Sequence, residues 1–377
     1  MIVGIDIDHL RNPDRSGLYR LIWGLIAGVR DAGLTRQTRL FVTNSSSYAR
    51  LRPDVARALD DFRIHEFHNP RVFWRLRMRM GVYGRCDVFQ TITSTSFPPV
   101  PGRLDAFLVP DLTVVHHPEH HTEGNRRYWN GVFQIIQKHA SLVTTYSSHA
   151  RQDVIRTLGI PPEKVVVSYL GCDAEYRPVP PETAAPTLAN LGLEYGKYIL
   201  TVGTIEPRKN HVTLLRAYAT LKARGRVAGV PLVVVGSKGW GYEPVLAEID
   251  RLGLTGDVRV FGFVESLAGM YSGAGVMVYP SLYEGFGLPP LEAMACGCPV
   301  VTSNATSLPE VVGDAGLMVE PTDHVALAER IDQVLSDPAL RGRLSAAGVR
   351  RAAGFTWRKY AEGLFGAYRQ SLRQRSA

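Results

Sequence analysis

Val276–Val301 reads VMVYPSLYEGFGLPPLEAMACGCPVV, and its pattern is strand, loop, helix, strand. Val276–Tyr279 is a β-branched apolar run that stops at Pro280, as a buried strand does. Ser281–Leu288 contains Gly285 and Gly287 and reads as a loop. Pro289 and Pro290 fall where a first helical turn tolerates proline, because those N–H groups lack an intrahelical partner anyway. The helix continues through Leu291–Cys296, Gly297 ends it, and Cys298–Thr302 opens the next strand.

Such a turn makes a ligand site. The two glycines let a ligand approach the backbone closely. The helix start presents N–H groups and the positive end of a dipole, which suits an anion. Glu284 precedes the glycines and Glu292 lies in the first helical turn. Both are acceptors when ionised and match the paired hydroxyls of a sugar or a ribose. Glu292 alone would be read most simply as a charge favouring a helix N-terminus. Two carboxylates, two glycines and two prolines within nine residues point further, to a binding loop.

Glu284-Gly-Phe-Gly-Leu-Pro-Pro-Leu-Glu292 resembles the Glu-x7-Glu signature of the retaining glycosyltransferases of family 4. The resemblance extends from Ile2 to about Tyr368. It implies an α/β chain of GT-B architecture, with two Rossmann-like domains facing each other across a cleft. The implied parts are an acceptor-side domain at 1–180, a linker at 181–196 and a nucleotide-sugar-binding domain at 197–356. The helix of 357–377 would cross back to the first domain, with Trp357 as its anchor.

Composition agrees with two ordinary cores. At 377 residues the chain exceeds one typical core. No apolar run approaches the roughly 20 residues of a membrane span. The longest, Leu21–Val29, is read as a buried helix, and no signal peptide precedes it. The four cysteines, Cys86, Cys172, Cys296 and Cys298, have neither zinc nor disulfide spacing. These features predict a cytoplasmic protein with reduced thiols. The net charge of +8 fits phosphorylated ligands or an anionic membrane surface. No nucleic-acid-binding module is visible, so no nucleic-acid partner is expected.

The N-terminal half opens with the apolar run Ile2–Ile7. Asp6 and Asp8 form an Asp-x-Asp pair, read as structural rather than metal-binding. Arg11–Arg20 then leads into a helix over Leu18–Val29 and resembles the family's glycine loop, in which Gly17 sits beside donor phosphate and acceptor. Pro70–Arg85, PRVFWRLRMRMGVYGR, mixes five arginines with large apolar residues. The mixture suits peripheral contact with the inner face of a membrane, and equally a surface helix with its apolar side in the core. His116, His117, His120 and His121 invite a metal reading, but Pro118 interrupts them and no metal is expected. Relatives carry His-Asp-Leu just before this segment, with the His against the donor sugar. Asp111-Leu112 and Pro118-Glu119 keep that register, but Pro110 replaces the His. The catalytic polar group of this domain is therefore assigned to Asp111, with His116 or His117 as alternatives.

The second half repeats the strand–helix alternation, which predicts a parallel sheet. Tyr198–Val202 is a strand, and Asn210 reads as a helix N-cap. Arg208 and Lys209 lie just past a strand's carboxyl end, where ligands bind in such sheets. Both are donors suited to a diphosphate. Ser237-Lys-Gly-Trp-Gly241 mimics a dinucleotide fingerprint, but Pro244 stands in place of its third glycine, so no nicotinamide cofactor is expected. Ser307-Leu-Pro-Glu310 reads as a capping box.

The resemblance implies roles for these residues. Arg208 and Lys209 bind the diphosphate and stabilise charge on the leaving phosphate. Glu292 takes the ribose hydroxyls. Glu284, with the backbone of Gly285, Phe286, Gly287 and Leu288, holds the sugar. Gly17 lies beside the donor phosphate and the acceptor, and Asp111 is the catalytic polar group of the acceptor-side domain. The implied reaction is metal-independent transfer from a nucleotide sugar, with no further cofactor, to a glycan or lipid-linked glycan. The Pro-Arg-Lys-Asn and Tyr-Glu-Gly-Phe-Gly-Leu-Pro forms look most like polysaccharide and O-antigen mannosyltransferases. GDP-mannose is thus the expected donor, ahead of UDP-glucose-type and dTDP-rhamnose donors. The alternatives are a nucleotide-sugar epimerase of the same fold and a non-catalytic sugar-nucleotide or glycan-binding subunit.

Overall fold

The computed structural model describes residues 1–11, 17–44, 53–68, 86–92, 103–262, 264 and 266–376. The arginine-rich segment at 70–85, with the membrane contact read from it, thus lies outside the described residues. The chain divides into two units. Unit 1 comprises Met1–Leu112, Glu123–Gly171 and Thr356–Ala377; unit 2 comprises Thr113–Thr122 and Cys172–Phe355.

Unit 1 is built on strands Val3–Asp6 (β1), Thr38–Asn44 (β2), Arg63–His68 (β3), Val88–Thr91 (β4), Leu104–Leu108 (β5), Leu142–Thr145 (β6) and Val165–Val167 (β7). They form one seven-stranded sheet in the order 3-2-1-4-5-6-7, with every pair parallel. β1, β4, β5 and β6 are buried along their whole lengths, which is why they read as apolar runs rather than alternating ones. The strand order reverses between β1 and β4. Asp6 stitches that point: its carboxylate accepts from Asp8 N at 2.9 Å and from Ile92 N at 3.4 Å. Asp6 is fully buried, at 0% exposure, and Asp8 is half-buried.

Unit 2 repeats the plan with Ile199–Val202 (β8), Leu232–Val235 (β9), Val258–Phe261 (β10), Val276–Tyr279 (β11), Val300–Ser303 (β12) and Leu317–Val319 (β13). The six strands are parallel in the order 10-9-8-11-12-13. The reversal here lies between β8 and β11. In such sheets the carboxyl ends of the two strands at the reversal leave a crevice for ligand.

The expected linker is largely helical. Pro181–Asn190 forms a helix, and it groups with unit 2 as part of Cys172–Phe355. Ala184 and Leu188, four residues apart, are buried against the helix Ala268–Gly273. The proline-rich composition masked that apolar pair. Pro181 occupies the helix start, where its missing N–H costs nothing.

The terminal helix Trp357–Ser376 packs on the helix Gly17–Asp31 within unit 1. Gly24 and Gly28 make the approach close enough for Trp357. A Cβ on Gly28 would lie 2.0 Å from the Trp357 carbonyl oxygen, and one on Gly24 would lie 2.2 Å from its indole. Tyr368 adds a hydrogen bond from its hydroxyl to Gln90 Oε1 at 2.6 Å. Gly28→Ala is expected to destabilise the protein by about 1–3 kcal/mol through overpacking, read as a lowered melting temperature. Gly131→Ala is the control, since nothing lies within 4 Å of its Cβ position. Its melting temperature should be unchanged or slightly raised.

Candidate functional site

The two loops at the unit 2 reversal meet through charge. Arg208 and Lys209 follow β8 in a short 3-10 turn, Pro207–Lys209, and Glu284 follows β11. Arg208 Nη1 donates to Glu284 Oε2 at 2.8 Å, and Lys209 Nζ donates to Glu284 Oε1 at 2.6 Å. The Tyr279 hydroxyl donates to the same Oε1 at 2.9 Å, and Lys209 reaches that hydroxyl at 2.5 Å. Glu206 Oε1 closes the network on Arg208 at 2.7 Å. The sequence motifs assign Arg208 and Lys209 to phosphate and Glu284 to sugar; in the structure the three also bond one another.

Burial opposes ionisation of Glu284, but Arg208 and Lys209 outweigh it and lower its pKa to about 2. Lys209 is drawn down by burial and by Arg208, against the pull of Glu284. The two cations favour the charged form of this carboxylate. Arg208 and Lys209 are thus paired with two carboxylates, Glu206 and Glu284.

The backbone around Glu284 is fixed as firmly. Glu284 N–H donates to Thr306 Oγ1 at 2.9 Å. Ser307 Oγ lies 2.9 Å from Glu284 O and 2.7 Å from Phe286 O, its one hydroxyl proton shared between the two carbonyls. This corrects the capping-box reading of Ser307. Its backbone is already helical, at φ −84° and ψ −13°, and its side chain makes no cap bond. Gly287 has φ +114°, which only glycine adopts without strain, and it opens the helix Leu288–Ala295. Pro289 and Pro290 bring no N–H, so the donors at this helix start are those of Leu288 and the loop before it. Gly285, Phe286 and Gly287 are all buried, and Leu288 is half-buried. Glu292 is deeply buried, at 1% exposure, and accepts from the Tyr271 hydroxyl at 3.0 Å.

Asn210 also departs from expectation. It has φ +58° and does not cap the helix His211–Ala223. The left-handed backbone turns its amide toward the loops after β11 and β13. Nδ2 donates to Pro280 O at 3.0 Å and to Pro321 O at 2.6 Å, while Oδ1 accepts from Thr213 Oγ1 at 2.7 Å. The loop Ser237–Gly241 packs beside the chain after β8, with Ile205 N–H donating to Ser237 O and Gly239 N–H to Ile205 O.

The histidine segment belongs to unit 2. His116 and His117 place their rings 5.9 and 5.8 Å from that of Tyr283, next to Glu284. The Trp240 indole N–H donates to the His120 carbonyl. A 3-10 turn at Pro118–His120 brings His117, Glu119 and His120 together, their ligating atoms within 4.8 Å of one another. Pro118 therefore does not keep these groups apart. Glu119 Oε1 lies 3.2 Å from His117 Nδ1, a hydrogen bond, and 3.7 Å from His120 Nε2, and burial lowers the pKa of His120. Asp111 and Gly17 lie in unit 1. Asp111 sits near the buried Tyr146, and Gly17 begins the helix Gly17–Asp31, exposed and with nothing within 4 Å of its Cβ position.

The glycosyl transferases group 1 family matches residues 189–351, and glycosyltransferase family 4 matches residues 18–176. The O-antigen chain mannosyltransferase B of Escherichia coli is 38% identical over 274 residues, covering 72% of this chain and 72% of that one. The chain belongs to the family 4 glycosyltransferases. It is similar also to the serotype-specific mannosyltransferase WbdA of Escherichia coli, at 32% identity over 58% of this chain and 27% of WbdA. Among solved structures, HepE of Anabaena in complex with UDP and glucose superposes with a TM-score of 0.74 at 17% identity, covering 97% of this chain and 99% of HepE. WaaG, a glycosyltransferase involved in lipopolysaccharide biosynthesis, superposes with a TM-score of 0.70, also at 17% identity, over 97% and 98%. At that identity the likeness shows the fold, which is GT-B. The glycosyltransferase has no described helix long and apolar enough to cross a membrane.

One buried group near the site titrates in an accessible range. His211 is 3% exposed, its Nδ1 has no hydrogen-bond partner, and burial with Lys209 nearby lowers its pKa from 6.5 to about 4. The unfolded chain therefore takes up this proton first as pH falls. The stability His211 confers is fully present above about pH 6.5 and is lost between there and about pH 4. The loss amounts to about 3 kcal/mol. Denaturant titrations from pH 7 to pH 5 should show stability falling, and the slope should be shallower in His211→Gln. Equal slopes in the two proteins would contradict this.

Proposed function

We propose that this glycosyltransferase moves mannose from GDP-mannose to a glycan or lipid-linked glycan during surface polysaccharide synthesis, with retained anomeric configuration and no obligatory metal. The observation that carries the reading is the Arg208–Lys209–Glu284 network at the strand reversal of unit 2. Support for the sugar comes from the mannosyltransferase names of the relatives, above all the one 38% identical over 72% of the chain. Work at the cytoplasmic face of a membrane is part of the same proposal.

Arg208 and Lys209 would bind the diphosphate, and Glu284 with the amides of Phe286, Gly287 and Leu288 would hold the sugar hydroxyls. Glu292, oriented by Tyr271, would be the ribose acceptor. In the transfer step the bond from the anomeric carbon to the diphosphate oxygen breaks. A bond from the acceptor oxygen to that carbon forms on the same face, and the acceptor's proton goes to the departing phosphate. Negative charge grows on that phosphate, where fixed cations lower the barrier most. Two such cations supply charge that a divalent ion supplies elsewhere, which is the basis for metal independence. Gly17 and Asp111 are assigned to the acceptor side. A second candidate for the polar group beside the sugar is favoured by a specific observation: His116 and His117 lie against Tyr283, adjacent to Glu284.

The test is mannose transfer from GDP-mannose to membrane extracts, with EDTA, by the wild type and by Glu284→Gln. Wild-type transfer should persist in EDTA and yield an α-linked product, while Glu284→Gln, which keeps the side chain's shape, should lose at least about a hundredfold in kcat/KM. Full activity of Glu284→Gln would refute the sugar-binding role, and transfer abolished by EDTA would refute metal independence.

A further inference from the structure

Glu284 is held from three sides. Arg208, Lys209 and Tyr279 take its carboxylate. Ser307 Oγ takes its carbonyl. Its N–H is taken by Thr306 Oγ1, the partner with the least ordinary backbone. Thr306 has φ +54°, in the left-handed region. Glycine, asparagine and aspartate visit that region readily, and a β-branched residue there is an outlier. Glycine would relieve the backbone at this position but would bring no hydroxyl. The backbone angle is thus a cost at this position, and the hydroxyl on the Glu284 N–H is what threonine supplies there.

We propose that Thr306 is a positioning residue for glycosyl transfer: its hydroxyl, presented by a left-handed backbone, locks the Glu284 amide so that the Glu284 carboxylate and the amides after it meet the donor sugar in one geometry. This rests on the reading of Glu284 as the group that holds the sugar. Thr306 itself touches no reacting atom. It acts through the backbone of Glu284, and Ser307 holds the opposite side of the same residue. The sugar loop is thereby fixed independently of the cations, so the position of Glu284 does not depend on Arg208 and Lys209 alone. Those two are free to change partners when a diphosphate arrives.

Three substitutions test this: Thr306→Gly, which removes strain and hydroxyl together; Thr306→Ser, which keeps the hydroxyl; and Glu284→Gln. The readouts are melting temperature, kcat and KM for GDP release from GDP-mannose, and the inhibition constant of GDP. Thr306→Gly should melt at or above the wild-type temperature and yet lose about tenfold in kcat, the scale of one well-made hydrogen bond. Its GDP inhibition constant should be unchanged, because Thr306 acts on the sugar loop, and Thr306→Ser should restore most of kcat. A merely structural residue would not move stability and turnover in opposite directions. Wild-type kcat in Thr306→Gly alongside an inactive Glu284→Gln would overturn the positioning role and leave the Glu284 reading standing. Wild-type turnover in Glu284→Gln, or no GDP release by the wild type, would overturn that reading and this proposal with it.

Discussion

A carboxylate as buried as Glu284 must be paired, because an unpaired charge in that setting would take up a proton or unfold the loop. Its partners come from a different strand. Arg208 and Lys209 follow β8 and Glu284 follows β11, which are neighbours in the sheet at the point where strand order reverses. The ion pairs therefore tie two loops across the reversal and set the distance between cations and acid before any ligand is present. Leaving a buried charge with no partner costs roughly 3–5 kcal/mol, so the network is a structural element as well as a chemical one.

The rest of unit 2 supports that network from below and behind. Asn210 ties the chain after the cations to the loops following β11 and β13. Thr306 and Ser307, after β12, grip the peptide groups of Glu284. The chain ends after β8, β11 and β12 thus meet at one acidic residue, the first two at its carboxylate and the third at its peptide groups. The two non-glycine residues with positive φ among those described, Asn210 and Thr306, are both part of this support. Local backbone strain concentrated in this way is common where geometry must be held for function.

Much of the fold is legible in the sequence because strands in a parallel sheet are buried on both faces. ILTV, LVVV and VMVY read directly as strands for that reason, and each is buried throughout. The positions of Arg208, Lys209 and Glu284 at strand ends are legible for the same reason. Their mutual pairing is not, since residues 75 and 76 apart in sequence carry no signal of contact. The Pro181–Asn190 helix was hidden by its prolines, although Ala184 and Leu188 have helical spacing. Ser307 and Asn210 have the residue types of helix caps, and only the backbone angles reveal that their side chains serve neighbouring loops. The grouping of Thr113–Thr122 with unit 2 comes from tertiary contacts through Tyr283 and Trp240, which no local pattern announces.

The central claim is that the cations after β8 bind the donor diphosphate. The most direct measurement is a calorimetric titration of GDP into the wild type and into Arg208→Gln, a change that leaves Lys209 to pair with Glu284 and so spares the loop. The affinity of Arg208→Gln should fall at least about tenfold, the loss expected for one charge-assisted contact to phosphate. Equal affinity in the two proteins would contradict the assignment of the diphosphate to this network.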